Sequence, residues 1–191
     1  MTPFNHSLEK LYQWYKINQR TLPWREKNTP YRVWISEIML QQTRMETVLP
    51  YFERFTARFP NPRLLGQAPI DEVLSYWSGL GYYNRAKNLH KTAKIISQKG
   101  EFPKNRKELE ELPGIGPYTA GAILSIAYNQ PEAILDGNIE RLLSRLREIK
   151  RKPNYKKKLW KWSRIFVNTA HEKQFPVSQI NQALMEIGAL I

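Results

Sequence analysis

Two carboxylates stand in surroundings that would change what they do. Glu37 lies in the run Val33-Trp34-Ile35-Ser36-Glu37-Ile38-Met39-Leu40-Gln41-Gln42-Thr43 and is the only acid between Glu26 and Glu46. Apolar neighbours desolvate the charged form of a carboxyl, which raises its pKa and suits it to donate a proton. Asp136 lies in Ala133-Ile134-Leu135-Asp136-Gly137-Asn138-Ile139-Glu140, just ahead of a helical pattern. Cleaving an N-glycosidic bond needs an acid on the leaving base and a carboxylate beside the developing oxocarbenium ion, the two-carboxylate logic of glycoside hydrolysis. On spacing alone the plainer readings stand beside this one. Asp136 is also an ordinary helix N-cap, and Glu37 an exposed helix position or one half of a buried ion pair.

A third feature concerns phosphates rather than bond cleavage. Residues 105–124 read Asn-Arg-Lys-Glu-Leu-Glu-Glu-Leu-Pro-Gly-Ile-Gly-Pro-Tyr-Thr-Ala-Gly-Ala-Ile-Leu. An amphipathic helix runs into Leu112-Pro113-Gly114-Ile115-Gly116, and Pro117 opens a second helix where its missing N–H is no loss. The backbone N–H groups around Gly114 and Gly116 can then point at one phosphate oxygen, helped by the helix dipole, while Ile115 anchors the turn. This resembles the helix–hairpin–helix motif, which grips DNA without reading sequence; an ordinary αα-hairpin with a glycine turn is the alternative. Lys150, Arg151, Lys152, Lys156, Lys157 and Lys158 put six bases into nine residues, followed by Trp160, Lys161, Trp162 and Arg164. That run reads either as a solvated loop and helix start or as a phosphate-facing patch.

The elements that must position these groups are helical. The chain has 191 residues, 41% of them hydrophobic, enough for one domain or for two small helical lobes. With 30 Lys and Arg against 17 Asp and Glu the net charge is +13, which calls for a polyanionic partner. The absence of Cys excludes disulfides, thiolate catalysis and cysteine-held clusters within this chain, and three scattered His (His6, His90, His171) make a metal site unexpected. No apolar run approaches the ~20 residues of a membrane span, and a soluble, intracellular protein is expected. Leu8, Leu11, Tyr12, Tyr15 and Ile17 predict a first helix that ends before a turn at Pro23. Apolar residues at helical spacing predict one helix from Tyr31 to Leu49, stopped by Pro50, and further segments near 51–59, 70–77, 84–98, 105–112, 117–128, 137–148, 155–170 and 177–190. An all-α chain of about ten short helices is predicted.

Taken together, Leu22-Pro23-Trp24-Arg25, Trp34 to Thr43, Gly79-Leu80-Gly81-Tyr82-Tyr83, Leu112 to Gly121 and Leu135-Asp136-Gly137-Asn138 resemble the adenine DNA glycosylases of the MutY type, members of the helix–hairpin–helix glycosylase superfamily with endonuclease III. The resemblance covers essentially the whole chain, and the Ser36 to Thr43 block is its most specific part. It implies a two-lobed fold: a six-helix barrel over 24–131 carrying the hairpin (105–124), and a second helical lobe from 1–23 plus 132–191, with DNA between them. It implies excision of adenine mispaired with 8-oxoguanine or guanine, after the base is flipped from the duplex.

In that resemblance Glu37 matches the acid that protonates the adenine, and Asp136 the carboxylate that stabilises the oxocarbenium-like transition state, with Asn138 and Tyr118 in support. Gln42 and Tyr82 match residues that wedge into the stack and contact the opposite base. Arg20, Trp24, Arg25 and Gln182 lie where the family surrounds the adenine, and Gly114, Ile115 and Gly116 where it holds the backbone. Tyr118 stands where relatives that also cut the strand have a Schiff-base Lys, so a monofunctional enzyme is implied. Tyr at that position also occurs in relatives acting on T opposite G, so the alternatives are a T:G-mismatch or endonuclease-III-like pyrimidine glycosylase, or an inactive fragment that binds mismatched DNA. Beyond Gly188-Ala189-Leu190-Ile191, family members continue into a four-cysteine [4Fe–4S] loop and a domain that senses 8-oxoguanine. The chain is therefore expected to be a fragment or a short form with no cofactor of its own, acting as a monomer on mismatched double-stranded DNA in the cytoplasm or nucleoid, with no membrane partner.

Overall fold

The computed structural model describes residues 3–191, and the side chains from Ser7 onward. In chain order the helices are α1 (Pro3–Asn18), α2 (Pro23–Glu26), α3 (Pro30–Leu40), α4 (Met45–Arg58), α5 (Pro62–Gln67), α6 (Ile70–Trp77), α7 (Asn84–Lys99), α8 (Arg106–Glu110), α9 (Pro117–Ala122), α10 (Gly137–Leu146), α11 (Tyr155–Glu172) and α12 (Val177–Leu190). Helix α9 runs on into a π-helical turn at Ile123–Ala127. No strand occurs among the described residues, and the fold is all-α. No helix of the described residues is long and apolar enough to cross a membrane.

Short-range chemistry starts many of these helices. Pro stands at the first turn of α2, α3, α5 and α9, where its fixed φ fits and no intrahelical N–H is lost. The side chains of Thr29, Asn61, Asn105 and Asp136 cap α3, α5, α8 and α10 by accepting from the N–H of Arg32, Leu64, Glu108 and Ile139.

Three expectations about elements are corrected. Among the described residues twelve α-helices form rather than about ten, because the Pro23 turn is itself a short helix and Pro62–Gln67 adds another. The predicted helix from Tyr31 to Leu49 is broken at residues 41–44, where Gln42 takes a left-handed φ of 57°. Pro50, expected to end a helix, lies inside α4. There it leaves the carbonyl of the exposed Glu46 without an intrahelical N–H, on a face that water reaches.

The chain divides into two compact units. The first comprises residues 1–20 and 124–191, the second residues 21–123. The second unit holds α2 to α9 around an aromatic core in which Trp34, Phe52, Phe55, Phe59 and Trp77 are fully buried. Its rings meet edge to face: Trp24 on Phe52 (5.2 Å), Phe55 on Phe59 (5.0 Å) and Trp34 on Phe102 (5.7 Å). The first unit packs α1, α10 and α11 against α12 through Leu8, Tyr15, Ile139, Leu143, Val167, Ile180 and Leu184, all buried.

Candidate functional site

The second unit carries Glu37. Helix α3 is buried on nearly every side, from Val33 to Met39, and Glu37 is the one acid on it, 8% exposed. Every backbone N–H near it is used within the helix, so the carboxyl must be held by side chains. Tyr118, 81 positions away on the first turn of α9, donates its hydroxyl to Glu37 Oε2 at 2.8 Å. The spacing in sequence gave no sign of that pair.

The hairpin between α8 and α9 fits its sequence closely. Ile115 is buried beneath it, and Thr92 donates to the carbonyl of Pro113 at 2.9 Å. Gly114 has a φ of +80°, and a Cβ there would stand 2.9 Å from that of Asn88, so both the turn and the packing require glycine. Gly116, the N-cap of α9, is exposed, and a Cβ on it would meet nothing within 4 Å. Nothing inside the chain demands a glycine there.

Gln42 and Tyr82 come together. They line one surface cavity of about 720 Å³ with Gln41, Tyr83, Asn84 and Arg85. Both have positive φ, 57° and 48°, a conformation that costs a non-glycine residue about 1 kcal/mol or more and is sustained only by its surroundings. Tyr82 is 61% exposed, a large ring held out from the surface. Sequence reasoning missed the residue beneath them. The guanidinium of Arg85 donates to the carbonyls of Ile38, Met39 and Gln41, to Thr43 Oγ1, and to the carbonyls of Leu80 and Gly81. It explains the break after α3, whose last carbonyls it takes. Its only visible signal was an Arg two residues after the Gly79 to Tyr83 block.

In the same unit Trp24 is buried against Phe52 and so belongs to the core, and Arg25 is half-buried beside it on α2.

The first unit carries Asp136, and here the N-cap reading and the chemical one coexist. Asp136 Oδ1 accepts from the N–H of Ile139 (2.8 Å) and Oδ2 from Asn138 Nδ2 (3.0 Å). Burial raises its pKa above the ordinary carboxylate range, partly offset by these bonds. Asn138 is fixed in turn by Arg141, which donates to Asn138 Oδ1 (2.8 Å) and to the carbonyl of Gly188 on α12. The result is a carboxyl held at the positive end of a helix, which when ionised can stabilise positive charge that develops nearby.

Also in this unit, Arg20 forms a bidentate pair with Glu186, at 2.6 and 2.8 Å. Glu186 is 3% exposed. Gln182, buried, accepts from the Tyr15 hydroxyl at 3.1 Å and donates to the Ser178 carbonyl at 3.1 Å. Lys150, Lys152 and Lys158 of the basic run line a separate cavity of about 540 Å³ with Arg147, Tyr155 and Trp162, and the Arg147 guanidinium lies 3.6 Å from the Trp162 ring centre.

The chain is similar to known proteins. Residues 35–164 match the HhH-GPD superfamily of base excision DNA repair proteins. The chain is 49% identical over 187 residues to a protein of Buchnera aphidicola subsp. Baizongia pistaciae named adenine DNA glycosylase, with 96% of this chain and 52% of that protein covered. The chain thus spans about half the length of the curated relative it matches. A thermostable thymine-DNA glycosylase superposes with a TM-score of 0.81 at 24% identity, over 98% of this chain and 87% of that one. Endonuclease III in a non-covalent DNA complex superposes with a TM-score of 0.68 at 23% identity, over 94% and 82%. At such identities the two structures bear on the fold. A cysteine-held [4Fe–4S] cluster finds no ligand in this chain, which has no Cys. Among the described residues no group of three or more His, Asp and Glu could hold a metal ion.

Proposed function

The chain belongs to the HhH-GPD superfamily of base excision DNA repair proteins, and on that premise we propose that it hydrolyses the N-glycosidic bond of adenine mispaired with 8-oxoguanine or guanine in duplex DNA. The observation that carries this reading is the buried Glu37 hydrogen-bonded to Tyr118. Glu37 acts as the acid on the adenine ring and then handles the attacking water. Asp136, with Asn138 beside it, stabilises the oxocarbenium-like sugar. A phenol cannot form a Schiff base, so Tyr118 supports a monofunctional reaction that leaves an abasic site.

The duplex is held by the hairpin N–H groups around Gly114, Ile115 and Gly116, with Gln42 and Tyr82 entering the stack where the adenine leaves it. Arg20, Trp24, Arg25 and Gln182 are carried over from the resemblance as adenine contacts. The setting this implies is intracellular and DNA-associated, with the chain acting as a monomer.

The test is single-turnover excision on a duplex with adenine opposite 8-oxoguanine, read with and without alkali. Strand breaks only after alkali are expected, and E37Q should lower the rate by orders of magnitude while duplex binding survives. Excision retained in E37Q would refute the assigned acid. Excision of T opposite G instead of adenine would refute the substrate.

A further inference from the structure

We propose that Arg85 is a positioning residue that clamps the turn at 41–44 to the turn at 78–83, so that Gln42 and Tyr82 meet the duplex as one fixed pair. The inference rests on the reading of those two residues as DNA wedges.

Two turns far apart in sequence each hold a non-glycine residue at positive φ; the Thr43 N–H donates to the Leu40 carbonyl and Thr43 Oγ1 to that of Gln41 in one, and the Leu80 N–H to the Trp77 carbonyl in the other, but none of these bonds joins one turn to the other. A guanidinium between them does. It is a planar fork of N–H donors with no acceptor. One arm, Nη1, serves the end of α3 and the first turn through the carbonyls of Ile38 and Met39, both at 2.9 Å, and of Gln41. The other arm, Nη2, reaches Thr43 Oγ1 at 3.2 Å and the carbonyls of Leu80 at 3.2 Å and Gly81 at 3.3 Å. Its face lies 5.3 Å from the ring centres of both Trp77 and Tyr82. Trp77 Nε1 in turn donates to the Gly81 carbonyl at 3.0 Å.

The acceptors are backbone carbonyls and one hydroxyl, not a carboxylate, so the cation's task here is geometric. The carbonyls of Ile38 and Met39 belong to the last turn of α3, where the helix dipole is negative and intrahelical donors run out. Burial lowers the pKa of Arg85, yet a guanidinium stays charged where an ammonium would yield its proton more readily. Lys would also fail on shape: a point charge on a flexible stem cannot address both turns and stack on two rings at once.

The experiment measures, by fluorescence anisotropy on the whole chain, the ratio of affinities for a duplex with adenine opposite 8-oxoguanine and for its fully paired counterpart. It is run on wild type, R85K, the double variant Q42A/Y82A and the combination of all three. R85K should reduce the ratio about tenfold, the effect expected from hydrogen bonds to a charged group. In the Q42A/Y82A background it should change nothing further, because Arg85 acts only through those residues. A residue that merely stabilises the fold would lower the melting temperature and leave the ratio of the folded molecules intact. That result, or equal effects of R85K in both backgrounds, overturns the proposal. If Q42A/Y82A leaves the ratio unchanged, the wedge reading itself fails and the proposal falls with it. Should R85K not fold, T43V removes one acceptor from the clamp together with the Thr43 Oγ1 bond to the Gln41 carbonyl and should shift the ratio a few-fold in the same direction; no shift in a folded T43V overturns the proposal as well.

Discussion

Replacing Asp136 separates its structural duty from its electrostatic one. Its Oδ1 caps α10 and its Oδ2 accepts from Asn138, while burial raises its pKa. For a carboxyl, a raised pKa means that the folded chain holds the proton more tightly than the unfolded chain does. The unfolding free energy therefore falls as pH rises from the ordinary carboxylate range through the folded pKa, and the loss is complete above it. Every tenfold gain in proton affinity on folding corresponds to about 1.4 kcal/mol. Asn at position 136 keeps the cap, since Asn and Asp cap equally well. It relieves the desolvated charge but turns an amide N–H₂ toward Asn138 Nδ2, which forfeits a hydrogen bond worth about 1 kcal/mol. These effects oppose each other, so at neutral pH D136N should match wild type to within about 1 kcal/mol. D136A loses the cap as well and should fall about 1 kcal/mol below D136N.

Urea unfolding followed by tryptophan fluorescence, at about pH 4 and about pH 8, reads both comparisons. Wild type should lose stability relative to D136N across that interval, while D136N no longer excises adenine at either pH. A wild type that gains on D136N as pH rises would mean that hydrogen bonding outweighs burial at this carboxyl. The account of Asp136 as a desolvated charge would then be wrong.

Two further outcomes follow from the same geometry. A Cβ at Gly188 would stand 2.6 Å from the carbonyl carbon of Asn138, so G188A should cost about 1–3 kcal/mol in thermal unfolding and reduce excision by shifting Asn138; a neutral G188A would show that α10 and α12 yield freely. Replacing Lys150, Lys152 and Lys158 with Ala should flatten the plot of log affinity against log salt for duplex binding, by about 0.9 for each phosphate left without its lysine, and an unchanged slope would return that run to the role of a solvated loop.

Legibility in the sequence followed the range of the forces involved. Helices started by a proline or capped by a short polar side chain were readable because everything that specifies them lies within a few residues. The segments 70–77 and 177–190 coincide with α6 and α12. The Gln41 to Arg44 break was not readable, since what takes the carbonyls at the end of α3 is Arg85, more than forty positions on. Pro50 misled for the complementary reason: a proline inside a helix is tolerated when the carbonyl it strands faces water, which periodicity does not reveal. Glu37 and Asp136 could be picked out by their neighbours, but Tyr118 on Glu37, Glu186 on Arg20 and Tyr15 on Gln182 are long-range pairings.

Those pairings also bear on why two carboxylates in one small chain would take different parts. Glu37 is in mid-helix, where the backbone offers no N–H, and its neighbour Tyr118 contributes a hydroxyl. A hydroxyl can donate to a carboxylate or accept from a carboxylic acid, so that contact survives when Glu37 gains or loses a proton. Asp136 sits at a helix start, facing the Ile139 N–H and the Asn138 amide. The backbone N–H and the amide N–H₂ are donors only, and a protonated Asp136 would satisfy them less well than an ionised one does. Burial outweighs these bonds and raises the pKa, yet losing the proton strengthens both hydrogen bonds. The hydroxyl partner suits a group that must cycle between protonation states, and the donor pair suits one that must hold its charge while the sugar becomes positive. The difference comes from placing one acid within a helix and the other at the mouth of one.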